Sequence, residues 1–383
     1  MMAAMESAAK APSVERWIVG IVGAGVMGSG IAQVALEAGH EVVLHDVDQA
    51  ALARGRDRIA DGLARRAARM VPDPATIDEW VDARLARLRR TDVLEQLGDE
   101  ADIVIEAALE SIDLKTTIFR TLDAVAARET ILATNTSALS IAAIAAATTR
   151  PGRVLGLHFF NPAPLMALVE VVSGPATDPD VATAAEALVV SWGKTAIRSS
   201  DSPGFLVNRV NRPFTLEALR LLEAGSASIE AIDGAMREEG FPLGPFELMD
   251  LTGIDVTYAA STAIWERLGR PDRLRPSPIQ ERLIEAGHVG RKAGRGFYRY
   301  EDGRRAGPAD VDPALLAAAM DPARIREQIL SAIDDEARLV AAEGVASETD
   351  IDLAMRLGAN HPFGPFERAG RGFEVDSAPT ADR

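Results

Sequence analysis

The chain has no cysteine in its 383 residues. That absence excludes disulfides, thiolate metal sites and a cysteine nucleophile, and it suits a reducing compartment. Histidine is nearly as scarce, with five in all, so each one is worth locating. Basic residues are outnumbered, 41 Lys and Arg against 57 Asp and Glu, which gives a formal net charge of −16. Such a balance argues against nucleic acid, whose phosphates need a basic face. A small anion held by a local arginine cluster stays open. No run of about 18 uncharged apolar residues occurs, so no membrane span is predicted. The opening MMAAMESAAKAPSVER has no basic stretch followed by a short apolar core. Residues 1–15 therefore read as a loose leader and not a signal peptide, and the expected location is the cytoplasm.

What is present is the composition of a globular protein, 47% hydrophobic and 26% charged. The length exceeds one ordinary core, so two or three domains are expected.

From Trp17 the order is strand, glycine turn, helix, strand: WIVGIV, GAGVMG, SGIAQVALEAG and EVVLHD. Gly23, Gly25 and Gly28 are spaced as G-x-G-x-x-G directly after a strand and at the opening of a helix. This is the context that gives the spacing meaning as a dinucleotide-binding turn, with Val26 and Met27 inside it. Gly23 makes the tight turn, Gly25 lets a pyrophosphate approach the backbone, and Gly28 lets helix and strand pack closely. The helix N-terminus then offers free N–H groups to the anion. Asp46 ends the second strand and is placed to accept from both ribose hydroxyls. Its charge would repel a 2′-phosphate, so NAD is expected over NADP.

Further strands are predicted at ADIVIEAA (101–108), TILATN (130–135) and RVLGLHFF (153–160), with helical patterns between them. That alternation predicts an α/β fold, a Rossmann-type doubly wound sheet over residues 16–201. Ligands of such sheets gather at the carboxyl ends of the strands. The glycine turn, Glu110, Ser137 and His158 each lie at or just past such an end. A histidine in LHFFNPAPLMALVE could by itself be a hydrogen-bonded core residue. Its company at one sheet edge points instead to a site. Glu170, on the next predicted strand, is a carboxylate able to fix an imidazole tautomer and stabilise its charged form.

These stretches resemble the NAD-dependent (S)-3-hydroxyacyl-CoA dehydrogenases. The likeness is carried by GAGVMGSGIAQ, IEAALESIDLK, ATNTSALSI, GLHFFNPAPLMALVEVV, DSPGFLVNR, GPFELMDLTGID and GRKAGRGFYRY, in order from about Trp17 to Tyr300. The resemblance implies oxidation of a 3-hydroxyacyl-CoA by NAD, with His158 as general base and Glu170 orienting it. Ser137 and Asn208 would hold the reacting oxygen. Cofactor contacts would fall on Asp46, Glu110, Lys115, Asn135, Ser137, Asn161 and Lys292, in addition to the glycine turn. Hydride transfer needs positioning, a base and a dry site, and calls for no metal. The chain departs from the family pattern at Ser111, where asparagine is common. It also departs in ADGLARRAARMV, which replaces a lysine-rich segment that meets CoA. Arg65, Arg66 and Arg69 there are candidates for CoA phosphates. They are equally readable as a solvated helix face.

After Asp201 the strand signals stop, so residues 202–300 are expected to be an all-helical substrate and dimerisation domain. Asn208 near its start would place the site between domains. EDGRRAGPADVDP reads as part of a linker over 301–320. The chain then repeats itself. EALRLLEAGSASIEAIDGAM (217–236) is echoed by EARLVAAEGVASETDIDLAM (336–355), and FPLGPFE (241–247) by HPFGPFE (361–367). Residues 321–370 are therefore a partial second copy, with Glu327 where Asn208 would be, and residues 371–383 are a tail expected to be disordered. In the resembled family the helical domain makes the dimer contact. The tethered copy is accordingly expected to dock on the first, as a monomer with an internal pseudo-dimer, unless the protein still forms a homodimer. Two other readings remain: a related dehydrogenase of a free hydroxy or sugar acid, and a non-catalytic NAD-binding protein.

Overall fold

The computed structural model describes residues 16–309 and 320–370. The leader (1–15), the linker's residues 310–319 and the tail (371–383) lie outside the described residues. The first half is a single sheet of eight strands: β1 (Ile18–Val22), β2 (Glu41–His45), β3 (Leu88–Thr91), β4 (Ile103–Glu106), β5 (Ile131–Thr134), β6 (Val154–Phe159), β7 (Leu168–Ser173) and β8 (Thr195–Ser200). Their order is β3-β2-β1-β4-β5-β6-β7-β8. All neighbours run parallel except β6 and β7. Helices Val26–Glu37, Gln49–Met70, Ile112–Val125 and Pro179–Ser191 are among the elements flanking the sheet. The central strands are buried from end to end apart from Ile18, which is why they read as largely apolar runs.

Strand order reverses between β1 and β4, and the glycine turn sits at that switch point. Two strands escaped the sequence reading. β3, LRRT, is an edge strand whose arginines are exposed, as edge strands tend to be. β8, TAIRSS, buries only part of its length.

The second half is helical as expected: Arg212–Glu223, Ile229–Glu238, Pro245–Thr252, Ile254–Arg267 and Pro278–Glu285 form the first copy. It is not all-helical, however. β9 (Tyr298–Glu301) and β10 (Arg304–Pro308) make an antiparallel hairpin across residue 300, where the expected domain ends and the linker begins. Asp302 and Gly303 turn it, with φ of 49° and 73°. An Asp-Gly pair between short extended runs favours this turn, because both central residues need positive φ.

The second copy comprises Pro322–Ala342, Glu348–Gly358 and Pro365–Gly370. It repeats the first copy down to its hydrogen bonds. Asp233 accepts from the backbone N–H of Phe246 and Glu247 at 2.9 and 3.1 Å, and Asp352 accepts from Phe366 and Glu367 at 2.8 Å each. Glu247 and Glu367 each cap their own helix through the N–H of Gly244 and Gly364. The copies dock face to face, Pro322–Ala342 against Arg212–Glu223, and share one apolar core that includes Phe214, Leu219, Ile325, Ile329 and Ile333.

The contact has pseudo-twofold character. Arg209 of the first copy pairs with Glu336 of the second at 2.8 Å. Their counterparts, Gln328 and Glu217, pair in the opposite sense at 2.6 Å. Phe241 and its counterpart His361 touch each other, ring centroids 4.9 Å apart. Reciprocal pairs of this kind are what an isologous interface requires.

Candidate active site

His158 and Glu170 lie directly opposite each other in the antiparallel pairing of β6 with β7. Sheet register alone therefore brings together two residues 12 apart in sequence. His158 Nδ1 meets Glu170 Oε2 at 2.5 Å, and both side chains are buried. The other oxygen of Glu170 accepts the backbone N–H groups of Leu206 and Val207 at 3.0 and 2.9 Å. One carboxylate thus holds both the imidazole and the start of the segment that carries Asn208. That arrangement needs a sharp turn. Gly204 has φ of 80°, and Phe205, fully buried, has φ of 49°. A bulky residue in this region is strained and persists only where its surroundings enforce it. Here the ring of Phe205 lies edge-on to His158 at 5.8 Å, and Phe160 covers it at 4.6 Å.

The free imidazole nitrogen, Nε2, is 3.2 Å from Ser137 Oγ. Asn208, half-buried, reaches across from the helical half, its amide 3.5 Å from the carbonyl of Ser137. Ser137, His158, Glu170 and Asn208 therefore form one constellation at the carboxyl ends of the strands. With Nδ1–H donated to Glu170, Nε2 is the basic atom and faces the cleft.

The glycine turn fits a dinucleotide. A side chain at Gly28 would meet the carbonyl oxygen of Gly23 at 1.8 Å, whereas one at Gly25 would meet nothing within 4 Å. Gly25 is thus the point where open space reaches the backbone, at the N-terminus of helix Val26–Glu37. Asp46 folds onto the turn, accepting from the N–H groups of Ala24 and Asp48 at 2.9 and 3.1 Å and keeping lone pairs for a ribose. Val26 is well exposed beside the turn, and Met27 is half-buried.

Several of the remaining expected cofactor contacts are seen in supporting positions. Glu110 cradles the serine loop, accepting from Thr136 Oγ1 at 2.5 Å and from the N–H groups of Ser137 and Ala138. Lys115 is buried behind it. Its ammonium bonds Glu106 at 2.7 and 2.9 Å and lies 3.4 Å from Glu110. Asn135 accepts the N–H of Phe159 at 2.8 Å and so ties β5 to the strand of His158. Lys292, half exposed, lies on the helical half. It pairs with Asp255 at 2.7 Å, twelve residues before Arg267 on one helix, a separation of about 18 Å along the axis. Arg267 itself, which the sequence reading passed over, hydrogen-bonds the carbonyl of Ala138 at the cleft. Glu106 was also missed, although a carboxylate inside the apolar run IVIE marks it.

Asn161, exposed, and the chain to Leu165 run along a groove beside helices Val26–Glu37 and Gln49–Met70. The groove comprises adjoining depressions of about 280 and 340 Å³, both lined by Gln33, Arg65, Pro162 and Pro164. Arg66 and Arg69 line the first, where Arg66 also pairs with Glu37 at 3.6 Å.

A doubly wound sheet with a glycine turn at its switch point, and a carboxylate-backed histidine in the adjoining cleft, define a nicotinamide-nucleotide dehydrogenase. Residues 18–202 match the family model for the 3-hydroxyacyl-CoA dehydrogenase NAD-binding domain, and residues 204–300 and 325–371 match the model for the C-terminal domain. The chain belongs to the 3-hydroxyacyl-CoA dehydrogenase family, NAD-using oxidoreductases that act on a CH–OH group. It is 36% identical to 3-hydroxyadipyl-CoA dehydrogenase of Escherichia coli (strain K12), with 91% of this chain and 89% of that protein covered. A solved 3-hydroxybutyryl-CoA dehydrogenase from E. coli K12 superposes with a TM-score of 0.85 at 35% identity, covering 94% of this chain and 92% of that one. The solved (S)-3-hydroxybutyryl-CoA dehydrogenase from Ralstonia eutropha is covered completely but matches only 75% of this chain, at 38% identity and a TM-score of 0.71.

Proposed function

We propose that the protein oxidises the 3-hydroxyl of an (S)-3-hydroxyacyl-CoA to the ketone, reversibly, with NAD preferred over NADP. The line Glu170–His158–Ser137, closed by Asn208, carries this reading. It presents a basic imidazole nitrogen and hydrogen-bonding groups at the end of the sheet where a dinucleotide turn also opens. NAD supplies the hydride acceptor when bound. His158 Nε2 takes the hydroxyl proton, and Glu170 stabilises the imidazolium that results. Ser137 and Asn208 hold the oxygen, and Phe160 and Phe205 keep the imidazole in place. Asp46 receives the ribose hydroxyls. Arg65, Arg66 and Arg69 receive CoA phosphate along the groove that ends beside Asn161, where guanidinium groups offer bidentate hydrogen bonds.

The test is turnover of a 3-hydroxyacyl-CoA against the matching free acid, in the wild type and in His158→Ala. The thioester should be the substrate. The variant should lose about 10²–10⁴ in kcat while still binding NAD in titration. Preference for the free acid, or a normal rate without the histidine, would refute the reading.

A further inference from the structure

Arg212 begins helix Arg212–Glu223, four residues after Asn208, and is buried with 9% of its surface exposed. Among the described residues no carboxylate lies within 4.0 Å of it. Its contact is Nη1 to Ser261 Oγ at 3.4 Å, and Nε has no acceptor at all. Ser261, whose hydroxyl donates to the carbonyl of Thr257 at 2.8 Å, is neutral and offers the guanidinium no negative charge. Burial without a nearby anion pushes the guanidinium down to about 10, still charged at neutral pH. Arg209, three residues earlier and just as buried, shows how this fold treats an arginine it needs only for structure: it is neutralised by Glu336 and Glu343. Buried charges are paired as a rule, and one left waiting calls for an anion.

The surroundings share that need. Trp265 lies one helical turn beyond Ser261 and buries its indole N–H without an acceptor. Arg212 Nε and Trp265 Nε1 are thus buried donors without an acceptor among the described residues. They belong to two helical segments that each reach the cleft at one end. One carries Asn208 beside Ser137, and the other, Ile254–Arg267, ends with Arg267 on Ala138.

We infer that Arg212 receives a carboxylate at the far end of the acyl chain, so that the preferred substrate is an ω-carboxylated 3-hydroxyacyl-CoA. This rests on the dehydrogenase reading above and specifies its substrate class. The reach agrees with a six-carbon acyl chain. Asn208, in the short helix Val207–Val210, and Arg212, at the start of the next, are about 6 Å apart at a helical rise, and three bonds of about 1.5 Å each take the chain from C3 to a C6 carboxyl. A four-carbon acyl group ends one bond past C3 and leaves Arg212 unpaired.

The test compares 3-hydroxyadipyl-CoA with 3-hydroxyhexanoyl-CoA, equal in length and differing in the terminal carboxylate, on the full chain with NAD. The wild type should favour the carboxylated substrate in kcat/KM by about 10- to 100-fold, the worth of a charge-assisted hydrogen bond. Arg212→Met should bring the ratio near one, whatever it does to the absolute rates, and Arg212→Lys should keep part of it. Because the ratio is read within one preparation, impaired folding cannot imitate the result. A wild-type ratio near one, or a full ratio in either variant, overturns the inference and leaves the dehydrogenase reading standing. No turnover of either thioester overturns that reading instead.

Discussion

Glu170→Gln changes one atom and should be among the most damaging substitutions in the molecule. Glu170 Oε1 accepts two buried backbone N–H groups, those of Leu206 and Val207, and Oε2 accepts Nδ1–H of His158. A glutamine has one acceptor oxygen and must choose. Turning its NH2 toward Leu206 and Val207 would strand two buried donors at about 1–3 kcal/mol each. The oxygen therefore stays with the backbone, and the NH2 faces His158. Nδ1 must then be the unprotonated nitrogen, which moves the proton to Nε2, the atom that should be taking one from substrate. Inverting the tautomer of a carboxylate-backed catalytic histidine costs about 10⁴ in kcat, so a loss of about 10³–10⁴ is expected.

Glu170→Ala provides the contrast. It frees His158 to take either tautomer, so it should be the faster of the two variants. It also strands the two N–H groups, so it should be the less stable, by about 2–6 kcal/mol. Steady-state rates with the CoA thioester, NAD titration and urea unfolding on both variants give all the quantities needed. A glutamine variant within tenfold of wild type, or slower turnover in the alanine variant, would refute this account of the site.

Four further outcomes are expected. The kcat/KM for NAD should exceed that for NADP, and Asp46→Ala should narrow the gap; equal constants in the wild type would remove Asp46 from the ribose site. Replacing Arg65, Arg66 and Arg69 together by glutamine should raise KM for the CoA substrate and flatten its salt dependence, whereas unchanged values at low and high salt would make them a solvated face. Burial lowers His361 to about 4, so it folds neutral and its contribution is complete above its unfolded value of about 6.5. That contribution should fade as pH falls toward 4, by about 3 kcal/mol in all, and urea unfolding of His361→Phe, the residue its counterpart already has, should lack this acid-side loss. Finally, a chain cut after Ala309 should dimerise or aggregate in light scattering while the full chain is monomeric; a full chain already paired as a tight dimer would contradict this.

The parts of the molecule legible in the sequence are those where one local rule dominates. The glycine turn had a strand before it and a helix after it, and steric demands at Gly23 and Gly28 leave little else possible. His158 and Glu170 stood out as polar residues in apolar strands. Their contact, however, depends on β7 running antiparallel to β6, which no spacing reveals. β3 went unseen because an edge strand can be as polar as a loop, and the hairpin at Asp302–Gly303 because its turn was taken for linker composition. Glu110, Lys115 and Asn135, expected at the cofactor, brace the loops at the carboxyl ends of β4 and β5. The bonds of Glu110 to Ser137 and of Asn135 to Phe159 join segments 27 and 24 residues apart, and that of Lys115 to Glu106 spans a strand-to-helix connection, so all three follow from tertiary packing. Arg212 could not have been singled out at all, since what distinguishes it is a missing partner.

The two helical copies show which residues such a duplication must retain. Where they cross, the contact survives in kind. Arg209 meets Glu336, and in the reciprocal position Gln328 meets Glu217. One crossing has lost its positive charge, yet neither buried carboxylate is left alone, because Arg220 bonds Glu217 at 2.7 Å and Arg273 bonds Glu336 at 2.7 Å. Both of those arginines belong to the first copy. The second copy thus seats the buried carboxylate of Glu336 between Arg209 and Arg273, and its Glu343 holds Arg209 as well. Where the first copy faces the cleft, nothing was retained: Glu327 stands in place of Asn208. The division is physical. Arg209 is the next residue after Asn208, so docking the second copy pins the backbone beside the Asn208 amide, and that requires the interface chemistry but no second site. The function of the extra helices follows from where their contacts fall, not from the fold they share with the first copy.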